Sequence, residues 1–378
     1  MPTPHPVRFH ELDGLRGIAC LLVVIHHTFT SSASRYLSAH SPAAAKLLFF
    51  TTASGVECFF CLSGFILLYP YLKTAKPLNV SSYSLNRIRR IYPPFIVAWL
   101  LAGLVQLTIT KYPTWYSEES TEFMTLEWLR QANLMTLLAC DNLYNSAWWS
   151  LTVECVWYVI VPLLVWASML SGAFRGSLSW MLWTAASVPA TLLIDSQQWA
   201  IPPGFVGPGK ALVAFVSFST CFASAVWLLV YAASMRVLIT VGGLALATIA
   251  YSGFTADFRL IHVGFGLGWS ALIGICMRAD SLRKALSAPG FIWLGERSYS
   301  LFLTHMTVFV FSNWVVSHWC PTRNATYGVL TRATGLPLAM FVAMVLFWVV
   351  ERRFAHRLET AHLFWPPLWH GVSHRADG

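Results

Sequence analysis

An apolar helix long enough to cross a bilayer carries an arginine and two histidines in the stretch Asp13 to His27, DGLRGIACLLVVIHH. Ionisable groups in hydrocarbon are costly, so a chain that keeps them there must fold a polar interior around them, and such groups mark function by default. Arg16 and His27 are eleven residues apart, close to three whole turns, so their side chains share one helix face about 16 Å apart along the axis. The arginine belongs near a membrane surface and His27 deep inside.

The remainder of the chain reads as lipid-embedded. Of 378 residues, 56% are hydrophobic and 11% charged, and the mean hydropathy is +0.59. That composition excludes an ordinary soluble domain and makes the lipid bilayer the first partner. Eighteen tryptophans and thirteen tyrosines suit membrane interfaces, where one end of a ring is wet. The net charge of +9 then reads as topology, and no nucleic-acid partner is expected. The first apolar run has an acidic start and no small-residue cleavage pattern, so no cleavable signal peptide is expected.

Apolar windows of about 17 to 22 residues predict about ten spans: Leu12–Phe29, Leu47–Leu72, Ile91–Thr110, Ala147–Ser168, Ser179–Ile194, Lys210–Ala232, Val237–Phe254, Leu260–Met277, Ser298–Trp319 and Gly335–Val350. An even number places both termini on one side. With cytoplasmic termini the inner segments hold 17 of the 25 lysines and arginines, the expected positive-inside bias. The expected fold is therefore an all-α, polytopic transmembrane bundle with both termini cytoplasmic. It is expected as a multi-pass protein of a cell membrane, of the bacterial inner-membrane type. Residues 1–354 form one transmembrane domain and 355–378 a cytoplasmic tail, whose LFWPPLW run suggests an interfacial anchor. Between Lys111 and Ser146 an amphipathic piece around Phe123–Leu138 is expected on the outer surface. No internal repeat is visible, which counts against transporters built from duplicated halves.

The eight cysteines form no framework. Cys58 and Cys61 have CxxC spacing but lie in a lipid-embedded helix, where thiols act as small apolar fillers. Cys140 and Cys320 both fall on the outer side, and whether they pair in an oxidising compartment is left open. His370 and His374 are four residues apart with no further ligand, so no metal site is expected.

Further polar groups fall inside the spans. Glu57, in GVECFFCLSGF, sits near the midplane, and Ser63-Gly64 allows close helix approach. In NRIRRIYPP, Arg87 and Arg90 share a helix face while Arg89 points elsewhere. Guanidiniums crowding a helix mouth suit phosphate groups, although a cytoplasmic loop attracts arginine for topology alone. Glu154, in AWWSLTVECV, lies about 9 Å inside the outer boundary if its span begins near Trp148, and His27 rises about 22 Å into a core of about 30 Å. Matched depth makes the two a candidate base and orienting carboxylate. His305, in SYSLFLTH, is also intramembrane.

Together, LDGLRG with ten residues between Arg16 and His27, FFCLSGF, RIRR, WSLTVE and SYSLFLTH resemble the membrane acyltransferase-3 family, the O-acetyltransferase-like integral membrane enzymes. The likeness runs from about residue 9 to about 354 and rests on the order of the motifs. It implies about ten helices and transfer of an acyl group, commonly acetyl from acetyl-CoA, to a sugar or another hydroxyl acceptor. It also implies a catalytic His27 and a donor-side basic set of Arg16, Arg87 and Arg90, with Asp13, Glu57, Ser63 and His305 as further candidates. Glu57 stands where many relatives carry aspartate, which leaves a carboxylate in place. No appended extracellular hydrolase-like domain of the kind some relatives carry is expected.

On this reading no cofactor is permanently bound and acyl-CoA is the donor substrate. The arginines hold its phosphates, the thioester reaches His27, and Glu154 fixes the histidine tautomer while His27 takes the acceptor proton. Direct transfer and an acyl-histidine both stay open, as do chain length and acceptor: glycan, lipid-linked sugar, peptidoglycan or macrolide-like metabolite. The alternative readings are a proton-coupled small-molecule transporter, since intramembrane His and Glu also mark proton relays, and an inactive scaffold of the same fold.

Overall fold

A chain in hydrocarbon must satisfy its backbone polar groups within each segment, which leaves helices as the building units here. The computed structural model describes residues 9–30, 37–74, 78–117, 125–134, 145–195, 208–231, 234–255, 257 and 260–354, and among them there is no strand. Helix α1 (His10–Ile25) runs into a π-helical turn, His26–Thr30. It is followed by α2 (Pro42–Ala53), α3 (Gly55–Thr74), α4 (Val80–Lys111), α5 (Thr125–Gln131) and α6 (Trp149–Asp195). Then come α7 (Pro208–Ala225), α8 (Met235–Thr255), α9 (Ile261–Cys276), α10 (Asp280–Leu286), α11 (Pro289–Trp319) and α12 (Ala325–Leu346). A second π-helical turn, Val226–Tyr231, extends α7, and a third, Phe347–Glu351, extends α12. Side-chain oxygens of Ser41, Asn79 and Asn324 cap the starts of α2, α4 and α12.

Among the described residues, six helical stretches are long and apolar enough to cross a membrane, and a seventh results if α9 and α10, bent by 101° at their junction, count as one span. The protein is therefore a multi-pass membrane protein. The three other segments expected as spans are helical too, with different shapes. Helix α1 has 16 residues and carries Glu11, Asp13 and Arg16; Phe215–Tyr231 is a shorter apolar helix. The fourth and fifth expected spans lie on the single helix α6, which folds back on itself. Trp157 and Trp183 have ring centroids 5.9 Å apart, whereas a straight helix would separate them by about 39 Å.

Helix α1 packs against α3, α10 and α11, and glycines bring the backbones into direct contact. A Cβ on Gly295 would stand 1.8 Å from the Asp13 carbonyl oxygen; one on Gly14 would stand 2.2 Å from that of Leu286. On the α3 side, a Cβ on Gly55 would meet the Ala19 oxygen at 2.3 Å. Lipid tails are as apolar as side chains, so close packing and polar contacts, rather than hydrophobic transfer, hold such helices together. Buried hydroxyl pairs add to this, with Ser187–Thr220 at 2.6 Å and Ser224–Ser270 at 2.8 Å. The described part of the expected amphipathic piece, α5, is clamped to α4. Trp99 and Trp128 stack at 4.0 Å, and each indole N–H donates to the other residue's carbonyl.

Cys61 lies buried in α3, with its thiol on the Gly266 carbonyl. Cys140, His370, His374 and the tail 355–378 lie outside the described residues.

Gly295→Ala must push α1 off α11, a strain of about 1–3 kcal/mol or more. Thermal unfolding in detergent should show a large loss for Gly295→Ala and none for Gly290→Ala on the same helix, where nothing lies within 4 Å of the added methyl. Equal stability of the two variants would contradict the backbone contact.

Candidate active site

Two polar clusters sit along α1, joined by the close approach of α11. At the far end, His305 Nε2 is 3.2 Å from His27 Nδ1. The tautomers follow from the acceptors around them. His305 Nδ1 lies 2.9 Å from the Phe302 carbonyl and 3.1 Å from that of Leu301. Carbonyls only accept, so Nδ1 carries the proton and Nε2 of the neutral ring offers a lone pair. His27 Nδ1 lies 2.9 Å from the Val23 carbonyl and donates to it and toward His305. The unprotonated nitrogen of His27 is therefore Nε2, the atom a general base requires. His305 is fully buried, and nothing in its setting lets the ring turn without losing these bonds.

His26 points elsewhere. Its Nδ1 lies 3.1 Å from Thr52 Oγ1, whose own hydrogen goes to the Leu48 or Phe49 carbonyl, so His26 donates. Its ring rests on Phe49 at 4.6 Å. The role this geometry gives His26 is to tie α1 to α2.

Glu154 is not the partner of His27. The short helical turn that leads into α6, Ser146–Trp148, is sunk into the bundle: Asn145 Nδ2 and Trp148 Nε1 both donate to the Leu303 carbonyl, at 3.0 and 3.1 Å. That is the depth of His305, so Glu154, six residues on from Trp148, lies about 9 Å further along, toward the Arg16 end. There its Oε1 accepts from Ser63 Oγ at 2.9 Å and from Tyr158 OH at 2.5 Å. Arg87 faces the rings of Tyr158 and Tyr83, both at 5.6 Å. Arg16 lies 3.9 Å from Asp13 and within electrostatic range of Arg90, Glu154 and Tyr158. Glu351, in the last π-helical turn, accepts from Ser300 Oγ at 2.5 Å and feels Arg90 and Arg16.

The structure thus brings Asp13, Arg16, Ser63, Arg87, Arg90 and Glu154 into one cluster and pairs His27 with His305. Glu57 belongs to neither group. Its Oε1 lies 2.6 Å from His262 Nδ1, between the rings of Phe50 and Phe218, with both partners under 9% exposed.

Sequence reasoning left out four of these residues. His262 stands in an apolar run and carries the same signal of cost that singles out His27. Tyr158 is four residues past Glu154 on the same helix face. Glu351 reads as part of a charged flank, ERR, until the fold buries it. Arg332 reads as an outer-loop arginine, yet it borders a cavity of about 280 Å3 beside His27, together with Thr28, Phe309, Asn313 and Tyr327.

A family described as an acyltransferase domain matches residues 9–352. The chain is similar to the acyltransferase MdmB of Streptomyces mycarofaciens, 24% identical over 92% of each chain. It is similar also to the peptidoglycan O-acetyltransferase OatA of Listeria monocytogenes serovar 1/2a, 23% identical over 79% of this chain and 49% of that one. A shorter likeness, 31% identical over 30% of this chain and 55% of the other, is to protein 2 in the picA locus of Rhizobium radiobacter. No solved structure matches the chain.

The tautomers are directly observable. Nitrogen-15 imidazole shifts of the labelled protein in bilayers should show His27 protonated at Nδ1 and bare at Nε2. The opposite tautomer would contradict the geometry.

Proposed function

The chain belongs to the acyltransferase-3 family of integral membrane enzymes, and on that premise we propose that it moves an acyl group, acetyl foremost, from cytoplasmic acyl-CoA to a hydroxyl of a carbohydrate or similar acceptor reached from the other side of the cell membrane. The observation that carries this reading is the division of polar groups along α1: guanidiniums gather around Arg16, and eleven residues away His27, paired with His305, borders a cavity.

In this account Arg16, Arg87 and Arg90 hold the phosphates of CoA. Planar guanidiniums suit phosphate oxygens, and Arg87 Nε is a buried donor without a partner among the described residues, the kind of orphan that a bound anion satisfies. Both termini and the tail 355–378 are placed on the cytoplasmic side, in keeping with the lysine and arginine bias. Residues 1–354 form the enzyme proper. The thioester lies between the clusters. His27 Nε2 takes the proton as the acceptor oxygen attacks the thioester carbon; the C–O bond forms, the C–S bond breaks, and the proton passes to the departing thiolate. The imidazolium formed on the way is steadied through Nδ1–H by the Val23 carbonyl and His305 Nε2. His305 holds the orienting role that sequence depth gives to Glu154. Glu154, with Ser63 and Tyr158, instead sets the shape of the donor end. The relatives' names, an acyltransferase and a peptidoglycan O-acetyltransferase, favour this over a proton-coupled transporter.

Sealed vesicles of known orientation test the route. Labelled acetyl-CoA supplied only at the cytoplasmic face should label an acceptor enclosed on the other side. His27→Ala should lower that rate by about 10²–10⁴-fold, while His26→Ala stays far closer to wild type. Labelling only when donor and acceptor share a compartment, or an active His27→Ala enzyme, would refute the proposal.

A further inference from the structure

The cavity beside His27 lies beyond His305 on α11 and against the first turns of α12, on the side of the dyad away from the arginine cluster. Its volume, about 280 Å3, is near the lower end of small-molecule sites, about 300 Å3. That admits one ring rather than an extended chain.

The walls are built to hold polar groups still. Arg332 Nε donates to the Thr28 carbonyl at 3.0 Å and Nη1 to that of Gly328 at 2.7 Å. The guanidinium is thereby pinned between α12 and the peptide that follows His27. Gly328 leaves the room for it, since a Cβ there would meet Nη1 at 2.9 Å. In the same lining, Tyr327 OH donates to Asn313 Oδ1 at 2.8 Å, and Asn313 Nδ2 donates to the Phe309 carbonyl at 2.7 Å. The amide is thus oriented by two bonds, and the Tyr327 ring is itself held against Trp115 at 5.0 Å. Phe309 supplies an apolar wall. A rigid guanidinium, a fixed amide and flat rings around a ring-sized space match a molecule that is apolar on its faces and hydroxylated at its edge. An acyl chain would strip water from these polar walls and offer them no hydrogen bond in return.

We infer that this cavity is the acceptor subsite, that it takes a single polyhydroxylated ring of the sugar or cyclitol class, and that Arg332 fixes the reacting hydroxyl relative to His27. This rests on the acyl-transfer reading above. A larger acceptor presents one ring and stays outside with the rest.

The test uses the full-length enzyme in nanodiscs, acetyl-CoA, and methyl glycosides of hexoses, 6-deoxyhexoses and N-acetylhexosamines, with released CoA and acylated product both measured. Arg332→Gln and Asn313→Leu should raise the glycoside KM by about tenfold or more while the affinity for acetyl-CoA stays within about twofold, the split expected when only acceptor contacts are lost. Arg332→Lys should recover part of the loss. Gly328→Ala displaces only the end of a flexible side chain, so it should raise the glycoside KM with no drop in thermal stability. Unchanged glycoside KM in both Arg332→Gln and Gly328→Ala would overturn the inference. So would a wild-type enzyme that releases CoA from acetyl-CoA yet acylates none of the glycosides, a result that leaves acyl transfer standing. If acetyl-CoA is not consumed at all, the subsite falls together with the donor reading.

Discussion

How closely α1 approaches α11 decides nearly everything else in this molecule. Gly14 and Gly295 let the two backbones and the end of α10 touch without intervening side chains, and at that separation the rings of His27 and His305 come within hydrogen-bond distance. In lipid no hydrophobic force draws helices together, so small residues that admit backbone contact become the determinants of position. The same contact sets the depth of the Arg16 cluster, because α11 also brings Ser300 to Glu351 and Tyr299 to the Ile91 carbonyl at the mouth of α4.

Two kinds of buried polar chemistry are kept apart along α1. The Arg16 end is charged: Arg16 and Arg87 are half-buried and Arg90 is exposed, among Asp13, Glu154 and Glu351. Burying charge costs heavily unless partners are supplied, and here Asp13 and Glu154 act favourably on Arg16 while Arg90 acts against it. The histidine end is neutral, with its protons assigned by backbone carbonyls, so a lone pair is presented without a buried charge. On the proposed reading, this separation is what would let one site bind an anion and the other accept a proton in turn.

Much of the architecture is legible in the chain because hydrocarbon enforces it: apolar length marks helices, and an intramembrane His or Arg announces itself by its cost. What helical periodicity gives is the direction a side chain faces, not the residue it meets. Depth counted from Trp148 pairs Glu154 with His27 because Trp148 looks like an interfacial residue, whereas Asn145 and Trp148 are tied to the Leu303 carbonyl inside the bundle. The pairing of Glu57 with His262, the fold-back of α6 and the burial of Glu351 depend on contacts between segments far apart in sequence. Arg332 shows the converse: counted by position it is an outer arginine, and only the fold reveals it against the Thr28 carbonyl.

The central claim is that His27 and His305 act as one unit, and a double-mutant cycle measures that directly. Acyl-transfer rates of His27→Ala, His305→Gln and the double variant should be strongly non-additive, as for residues that serve a single step. The account predicts that the double variant is no slower than His27→Ala alone. Losses that multiply would show that His305 acts independently, and the dyad would have to be abandoned.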